Sequence, residues 1–240
     1  MNPYAELQAR ALACNLRLPA SGLVTGTFGN ASAFDRQRGV FAIKPSGVPF
    51  NELNAVDLPV LDVDGRVVHG SLRPSSDMPT HALLYKAWPD LGGIVHTHSP
   101  FAVAWAQAMR PIPVFGTTHA DHCDGDILCT APMADDRIEG DYEVETGRQI
   151  LETLAGISHT DVAMILVACH GPFTWGPTPE KAVDNSIALE LIAQMALHTI
   201  QIAPATPRLK ESLLKKHFER KHGPGAYYGQ ATPTSKDTPR

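Results

Sequence analysis

A chain of 240 residues is long enough to bury one sizeable core, and 43% hydrophobic with 19% charged residues is the composition of an ordinary globular protein. A formal net charge of −5 and the lack of any basic stripe argue against a nucleic-acid partner. The longest apolar run, Val162 to Cys169, is too short to cross a bilayer, and Met1-Asn2-Pro3-Tyr4 opens no basic-then-apolar leader, so no membrane partner and a cytoplasmic location are expected.

In chain order, Tyr4 to Leu16 is apolar at helical spacing and predicts a first helix. Thr25 to Phe34 reads as strand, tight turn, strand, and Val40 to Lys44 as a strand ended by Pro45-Ser46-Gly47. Asp64-Gly65 between two β-rich runs predicts a hairpin over Leu58 to Val68. Ser76-Asp77-Met78-Pro79 opens a helix to Trp88, Gly93 to His98 is a strand, and Ser99-Pro100 opens a helix that ends before Pro111. Ile112 to Thr118 reads as a strand, Tyr142 to Leu154 as a helix and Val162 to Cys169 as a buried strand. Thr178-Pro179-Glu180 caps a long helix to about Gln201, and Pro207 to Lys221 is the last helix. These elements predict one α/β domain over 1–230 with a mixed or antiparallel sheet, followed by a polar tail, 231–240. Gly26-x-x-Gly29 lacks the dinucleotide-binding spacing, and no Walker A loop is present.

His96 and His98 stand two apart on a predicted strand, so their rings share a face. His170 follows the buried strand and can complete a set of three, the ligand number of a catalytic zinc site that keeps one position open. Asp77, at a helix start, is a candidate oxygen ligand, whereas His69, His81, His159, His198 and His222 lack such geometry and read as structural or solvated. Gly29-Asn30-Ala31-Ser32, Lys44-Pro45-Ser46-Gly47 and Ser75-Ser76 offer amides and hydroxyls without bulk, as anion sites do; turns and caps would look the same. Asp121, expected at a strand end, can reach a ligand, and Tyr227-Tyr228 fits interface packing or catalysis. Cys14, Cys123, Cys129 and Cys169 form no C-x-x-C pair and read as reduced thiols, with Cys123 the one its neighbours would put in a pocket.

The stretch PSSDMPTHALLYKAWPDLGGIVHTHSPFAVAWAQ, followed by FGTTHAD, CHGPFTWG and KHGPGAYYGQ, resembles the class II aldolase/adducin family from about Leu7 to Gln230. The resemblance implies an α/β; three-layer α/β/α sandwich around a mostly antiparallel sheet, assembled as a homotetramer with active sites between subunits. It implies that Asp77, His96, His98 and His170 hold Zn2+, with Mn2+ or Co2+ as other candidates. By motif, Asn30, Lys44, Ser46, Gly47, Ser75 and Ser76 bind a phosphate, and Thr117 and His217 stand near the substrate. Asp121 and Tyr228 fall on the proton-transfer positions, the tyrosine acting from a neighbouring subunit.

Aspartate at 77, where the family's fuculose-phosphate aldolases carry glutamate, implies the epimerase branch. The expected reaction interconverts L-ribulose 5-phosphate and D-xylulose 5-phosphate by breaking and remaking the C3–C4 bond, with the ion as the electron sink that other aldolases take from a lysine Schiff base. An aldolase that releases its aldehyde is the first alternative, and an adducin-like assembly domain without chemistry is the second. His122-Cys123-Asp124 and Ser99-Pro100-Phe101 depart from the family's usual residues.

Overall fold

The computed structural model describes residues 2–223 and residue 226. Tyr228 and the 231–240 tail therefore lie outside the described residues. Helix α1 spans Ala5–Ala20 and is followed by β1 (Asn30–Asp35) and β2 (Val40–Ile43). Two short 3-10 turns at Phe50–Glu52 and Ala55–Asp57 lead to the hairpin of β3 (Val60–Asp62) and β4 (Val67–His69). Next come α2 (Met78–Ala87), β5 (Gly93–His96), α3 (Pro100–Gln107), α4 (Thr117–Ala120), α5 (Asp135–Ile138) and α6 (Tyr142–Thr153). The chain continues through β6 (Met164–Val167), β7 (Gly171–Gly176), α7 (Pro179–Ile202) and α8 (Glu211–His222).

The seven strands lie in the order β4-β3-β2-β1-β5-β7-β6, with every pairing antiparallel. Alternation along each strand then decides which helical layer a side chain meets. Ala31, Ala33 and Val95 face a core shared with Leu7, Ala11 and Leu18 of α1 and Val183 of α7. Ile94, Phe173 and Trp175 face the opposite core, with Leu84 and Tyr85 of α2 and Ile150 of α6. A third cluster joins Trp105 of α3 to Leu189 and Ile192 of α7 and Met164 and Leu166 of β6. Each fully buried large side chain among these contributes roughly 1.5–3 kcal/mol.

Several expected bounds shift for local reasons. Thr25 to Gly29 is not a strand, because Gly26 and Gly29 take positive φ and Phe28 N–H closes a turn onto Thr25. Ile112 to Thr118 is not a strand either. Pro111 and Pro113 have no N–H to donate, Val114 N–H goes to the Asp126 side chain, and a single bridge, Ile112 to Ile127, is all that remains. Asp121 consequently follows the short helix α4 rather than a strand. Residues 207–210 lie outside α8, since Leu209 N–H is taken by the Val114 carbonyl. Strand β7, which begins with Gly171 and Pro172, is not among the expected elements. Cys123 is fully buried among Ile112, Ile127 and Leu166, so it is a core thiol and not a pocket residue. The cysteines are all free.

Candidate metal centre

His96 closes β5, and His98 lies two residues beyond it. His170 is supplied by the three-residue turn between β6 and β7, whose middle residue, Cys169, sits at φ 60°. Such a left-handed non-glycine residue costs about 1–2 kcal/mol, which the surrounding hairpin must offset. The turn packs tightly on β5: a Cβ at Gly171 would stand 2.8 Å from the Thr97 carbonyl oxygen. Glycine at 171 is thus what lets the two ligand-bearing segments touch.

The donor atoms of His96, His98 and His170 all lie within 4.8 Å of one another. His96 Nδ1 donates to the Pro172 carbonyl at 3.0 Å, which leaves its Nε2 as a lone pair. That Nε2 is 3.1 Å from His98 Nε2. Two nitrogens each ~2.1 Å from one tetrahedral ion stand about 3.4 Å apart, so the spacing suits a shared cation. The His96 ring is stacked on Phe173, with centroids 4.3 Å apart and planes at 22°. His170 Nδ1 meets the Tyr142 hydroxyl at 3.2 Å. Both outer contacts orient their rings as a metal ligand requires. Burial, reinforced by the crowding of His96 and His98, draws the His170 imidazole down to about 4, keeping it a neutral base at physiological pH.

Asp77 precedes α2 and stands beside this group, although its carboxylate is outside the set of donors within 4.8 Å. Its Oδ2 accepts from Asn30 Nδ2 at 2.7 Å and from the Ser75 hydroxyl at 3.4 Å. Burial pushes the Asp77 carboxyl up, but the nearby imidazoles of His96, His81 and His170 and the Asn30 amide outweigh that and hold it below its ordinary value.

The glycine- and serine-bearing segments converge on the same end of the sheet. Asn30 pairs with His96 across β1 and β5 and also donates to Ser75 Oγ. Ser75 N–H bonds the Lys44 carbonyl, Ser46 N–H bonds that of Arg73, and Pro45 bridges Pro74. Gly47 follows at φ 71° in open space, and Ser76 is exposed beside Ser75. Lys44 is only 2% exposed; its ammonium donates to the Thr27 and Pro45 carbonyls and lies 4.7 Å above the Phe50 ring, with no carboxylate of the described residues against it. Burial lowers its pKa.

Asp121, Thr117 and His217 form a separate group. The Asp121 carboxylate accepts from His217 at 3.0 Å and from Arg220 at 2.7 Å, with the Lys221 ammonium 3.5 Å away. Burial works to raise its pKa, and Arg220, His217 and Lys221 overcome that. The next residue, His122, lines a cavity of about 220 Å³ with Gly176 and Pro177, at the end of β7 opposite His170. At ~3.3 Å per strand residue, that end is on the order of 17 Å from the imidazole cluster. Within one chain the structure therefore does not bring Asp121, Thr117 and His217 to the histidines.

Sequence reasoning missed Tyr142, the Pro172 carbonyl and Phe173, which hold the ligand rings, and His81, which is completely buried behind Asp77. For His81 a signal was present, since it stands four residues after Asp77 on α2 and so shares its side of the helix.

The sheet order, the layered helices and a histidine triad at the edge of the central strands are those of a class II aldolase fold. Residues 9–197 match the family model described as Class II Aldolase and Adducin N-terminal domain, and the chain belongs to that family. It is 48% identical over 225 residues, 94% of this chain and 99% of the relative, to L-ribulose-5-phosphate 4-epimerase UlaF of Salmonella paratyphi C. The match to the protein of the same name from Salmonella typhi has the same identity and coverage. Among solved structures, an L-fuculose 1-phosphate aldolase superposes with a TM-score of 0.76 at 23% identity, covering 90% of this chain and 95% of that one. The L-fuculose-1-phosphate aldolase of Thermus thermophilus gives 0.65 at 23% identity, over 85% of this chain and all of its own. Among the described residues, no helix is long and apolar enough to cross a membrane.

Proposed function

We propose that the chain is an L-ribulose-5-phosphate 4-epimerase that uses a divalent ion, zinc being the first candidate, to make and break the C3–C4 bond of a ketopentose phosphate. The observation that carries this reading is the convergence of three imidazoles, from the end of β5 and from the turn between β6 and β7, on one point. The identity with the Salmonella epimerases supports the choice of reaction. The donor set fits the ion: three nitrogen ligands, with Asp77 alongside, leave room for substrate oxygens. When bound, such an ion supplies Lewis-acid stabilisation of the charge that develops on the cleaved fragment.

The chain's own residues then have separable tasks. Lys44 is a buried cation with no acid beside it among the described residues, an arrangement that an anionic guest relieves, so it receives the substrate phosphate with Ser46, Gly47, Ser75 and Ser76. Asn30 Oδ1 is buried without a partner and is free to accept a substrate hydroxyl. Holding the phosphate keeps the aldehyde fragment in place while it turns to present its other face.

Asp121 and Tyr228 move the protons, one on each face. Because Asp121 sits at the far end of β7 from the imidazoles, its group serves the histidine cluster of a neighbouring copy, with His217 setting its orientation. The exposed Leu191, Met195 and Ile202 on α7 supply apolar surface for such assembly, which we take to be a tetramer. Cytoplasmic residence fits this reaction and the reduced cysteines.

Incubating metal-loaded protein with L-ribulose 5-phosphate tests the reading, and D-xylulose 5-phosphate is the expected product. Accumulation of free glycolaldehyde phosphate in its place would make the protein an aldolase, and no turnover with no bound metal would make it an assembly domain.

A further inference from the structure

Along α2 and its cap, Asp77, His81 and Tyr85 recur every four residues and so form one stripe. That stripe meets Asn30 and Ser32, which alternate on β1 with the core alanines Ala31 and Ala33. The result is a line of buried polar groups running from the interior to the metal centre, inside a layer that is otherwise apolar.

The hydrogen bonds along this line have one direction. The Tyr85 phenol is completely buried, and burial raises its pKa, so it keeps its proton. Its hydroxyl lies 2.6 Å from Ser32 Oγ, its hydrogen-bond partner among the described residues, so the proton it keeps goes to Ser32. The Ser32 hydroxyl then donates to His81 Nδ1 at 2.7 Å. With Nδ1 accepting from Ser32, the ring carries its proton on Nε2. That Nε2–H is buried and has no partner among the described residues. An orphaned buried donor costs about 1–3 kcal/mol, so its retention asks for an acceptor that arrives with the working state. Asp77 stands one helical turn before His81, on the same side of α2. Asn30 and Ser75 both bond Asp77 Oδ2, which leaves Oδ1 without a donor among the described residues.

We infer that His81 is a positioning residue for the metal centre: the Tyr85–Ser32 relay fixes its tautomer, and its Nε2–H takes the Asp77 carboxylate and holds it against the three imidazoles when the ion is in place. This inference rests on the metal reading of the site. Besides the Ser75 hydroxyl, it gives Asp77 two fixed donors from different elements, the amide of Asn30 on β1 and the imidazole of His81 on α2. The carboxylate is thereby aimed by the sheet and the helix together rather than by its own rotamer preference.

The experiment compares His81→Asn, whose amide reaches Ser32 but falls short of the Nε2 position, with His81→Gln, whose amide nitrogen reaches that position. Zn2+ affinity is measured by competition with a chromogenic chelator, alongside the melting temperature of the metal-free protein. His81→Asn should weaken Zn2+ binding about 10–100-fold and His81→Gln should recover most of that loss, whatever their shared drop in melting temperature. Equal affinities in wild type and both variants, or equal losses that follow the melting temperature, overturn the inference. A wild type that binds no divalent ion overturns the metal reading itself. Should neither variant fold, long-range proton–nitrogen NMR of the wild type decides. The His81 Nε2–H signal should be present without metal and move downfield as Zn2+ is added, and a proton on Nδ1 or an unmoved signal ends the proposal.

Discussion

The imidazole of His96 is clamped on two sides by β7: Pro172 takes its Nδ1–H at 3.0 Å, and the ring of Phe173 stacks on it at 4.3 Å. The ring is therefore aimed by the strand that directly follows His170. Replacing His96 with Asn keeps a polar group but cannot reach the position of Nε2. This variant is expected to lose conversion to background and to retain at least ~10-fold less zinc after dialysis, read by elemental analysis. Normal turnover by the variant would remove His96 from the site.

Lys44→Met exchanges a buried, unpaired ammonium for an apolar chain of similar length. Two effects of opposite sign should follow. The melting temperature should rise, because an uncompensated buried charge is gone. KM for the sugar phosphate should rise about 10–100-fold, the worth of a charge-assisted hydrogen bond of roughly 1.5–3 kcal/mol. An unchanged KM would place the phosphate elsewhere.

The proposed sharing of a site between two copies is open to a complementation test. Asp121→Asn leaves the imidazoles intact and should lower kcat by about 10²–10⁴ with metal content unchanged. Mixing it with His96→Asn under subunit exchange should restore part of the activity, since some interfaces then pair an intact Asp121 with an intact histidine cluster. No recovery in fully exchanged mixtures would put Asp121 outside the chemistry of the neighbouring subunit.

His119 is 4% exposed, and burial draws its pKa from 6.5 to about 4. The unfolded chain takes up this proton first as the pH falls. The contribution of the neutral ring is thus fully present above pH 6.5 and is lost as the pH drops towards about 4, with a slope of at most ~1.4 kcal/mol per pH unit. His119→Phe removes this dependence. Urea unfolding at pH 7 and at pH 5 should show wild type losing more stability than the variant, and equal losses would contradict the assignment.

Cys169 holds a left-handed conformation one residue before His170. Cys169→Gly should raise thermal stability by about 1 kcal/mol or slightly less, while Cys169→Val should lower it and weaken metal binding by displacing His170. Calorimetry with and without zinc separates the two effects.

How far the sequence speaks for itself depends on the distance over which each signal acts. His96 and His98 announce themselves because a two-residue spacing on a strand is local geometry, and the rings do meet, although the strand ends at His96. His170 was legible from its place after the apolar run Val162 to Cys169. Strand β7 was not, because Gly171 and Pro172 are turn residues in any local reading; only the antiparallel partners β5 and β6 make them a strand. His81 looked like an ordinary helical histidine until Ser32, nearly fifty residues earlier, was placed against its Nδ1. The separation of Asp121 from the histidines is likewise a property of the folded sheet and invisible in the order of the motifs.

The candidate ligand histidines come from chain positions far apart, 96 and 98 at the end of β5 and 170 in the turn between β6 and β7. A cation gripping all of them is a cross-link, closing a long covalent loop that contains α3 through β6. Such a staple bears mainly on the denatured ensemble, where it forbids many extended conformations, and binding to the native chain adds RT ln(1 + [L]/Kd). The ion that equips the protein for reaction would thus also govern how long it survives heat, and metal starvation in a cell would deplete the protein itself as well as its turnover.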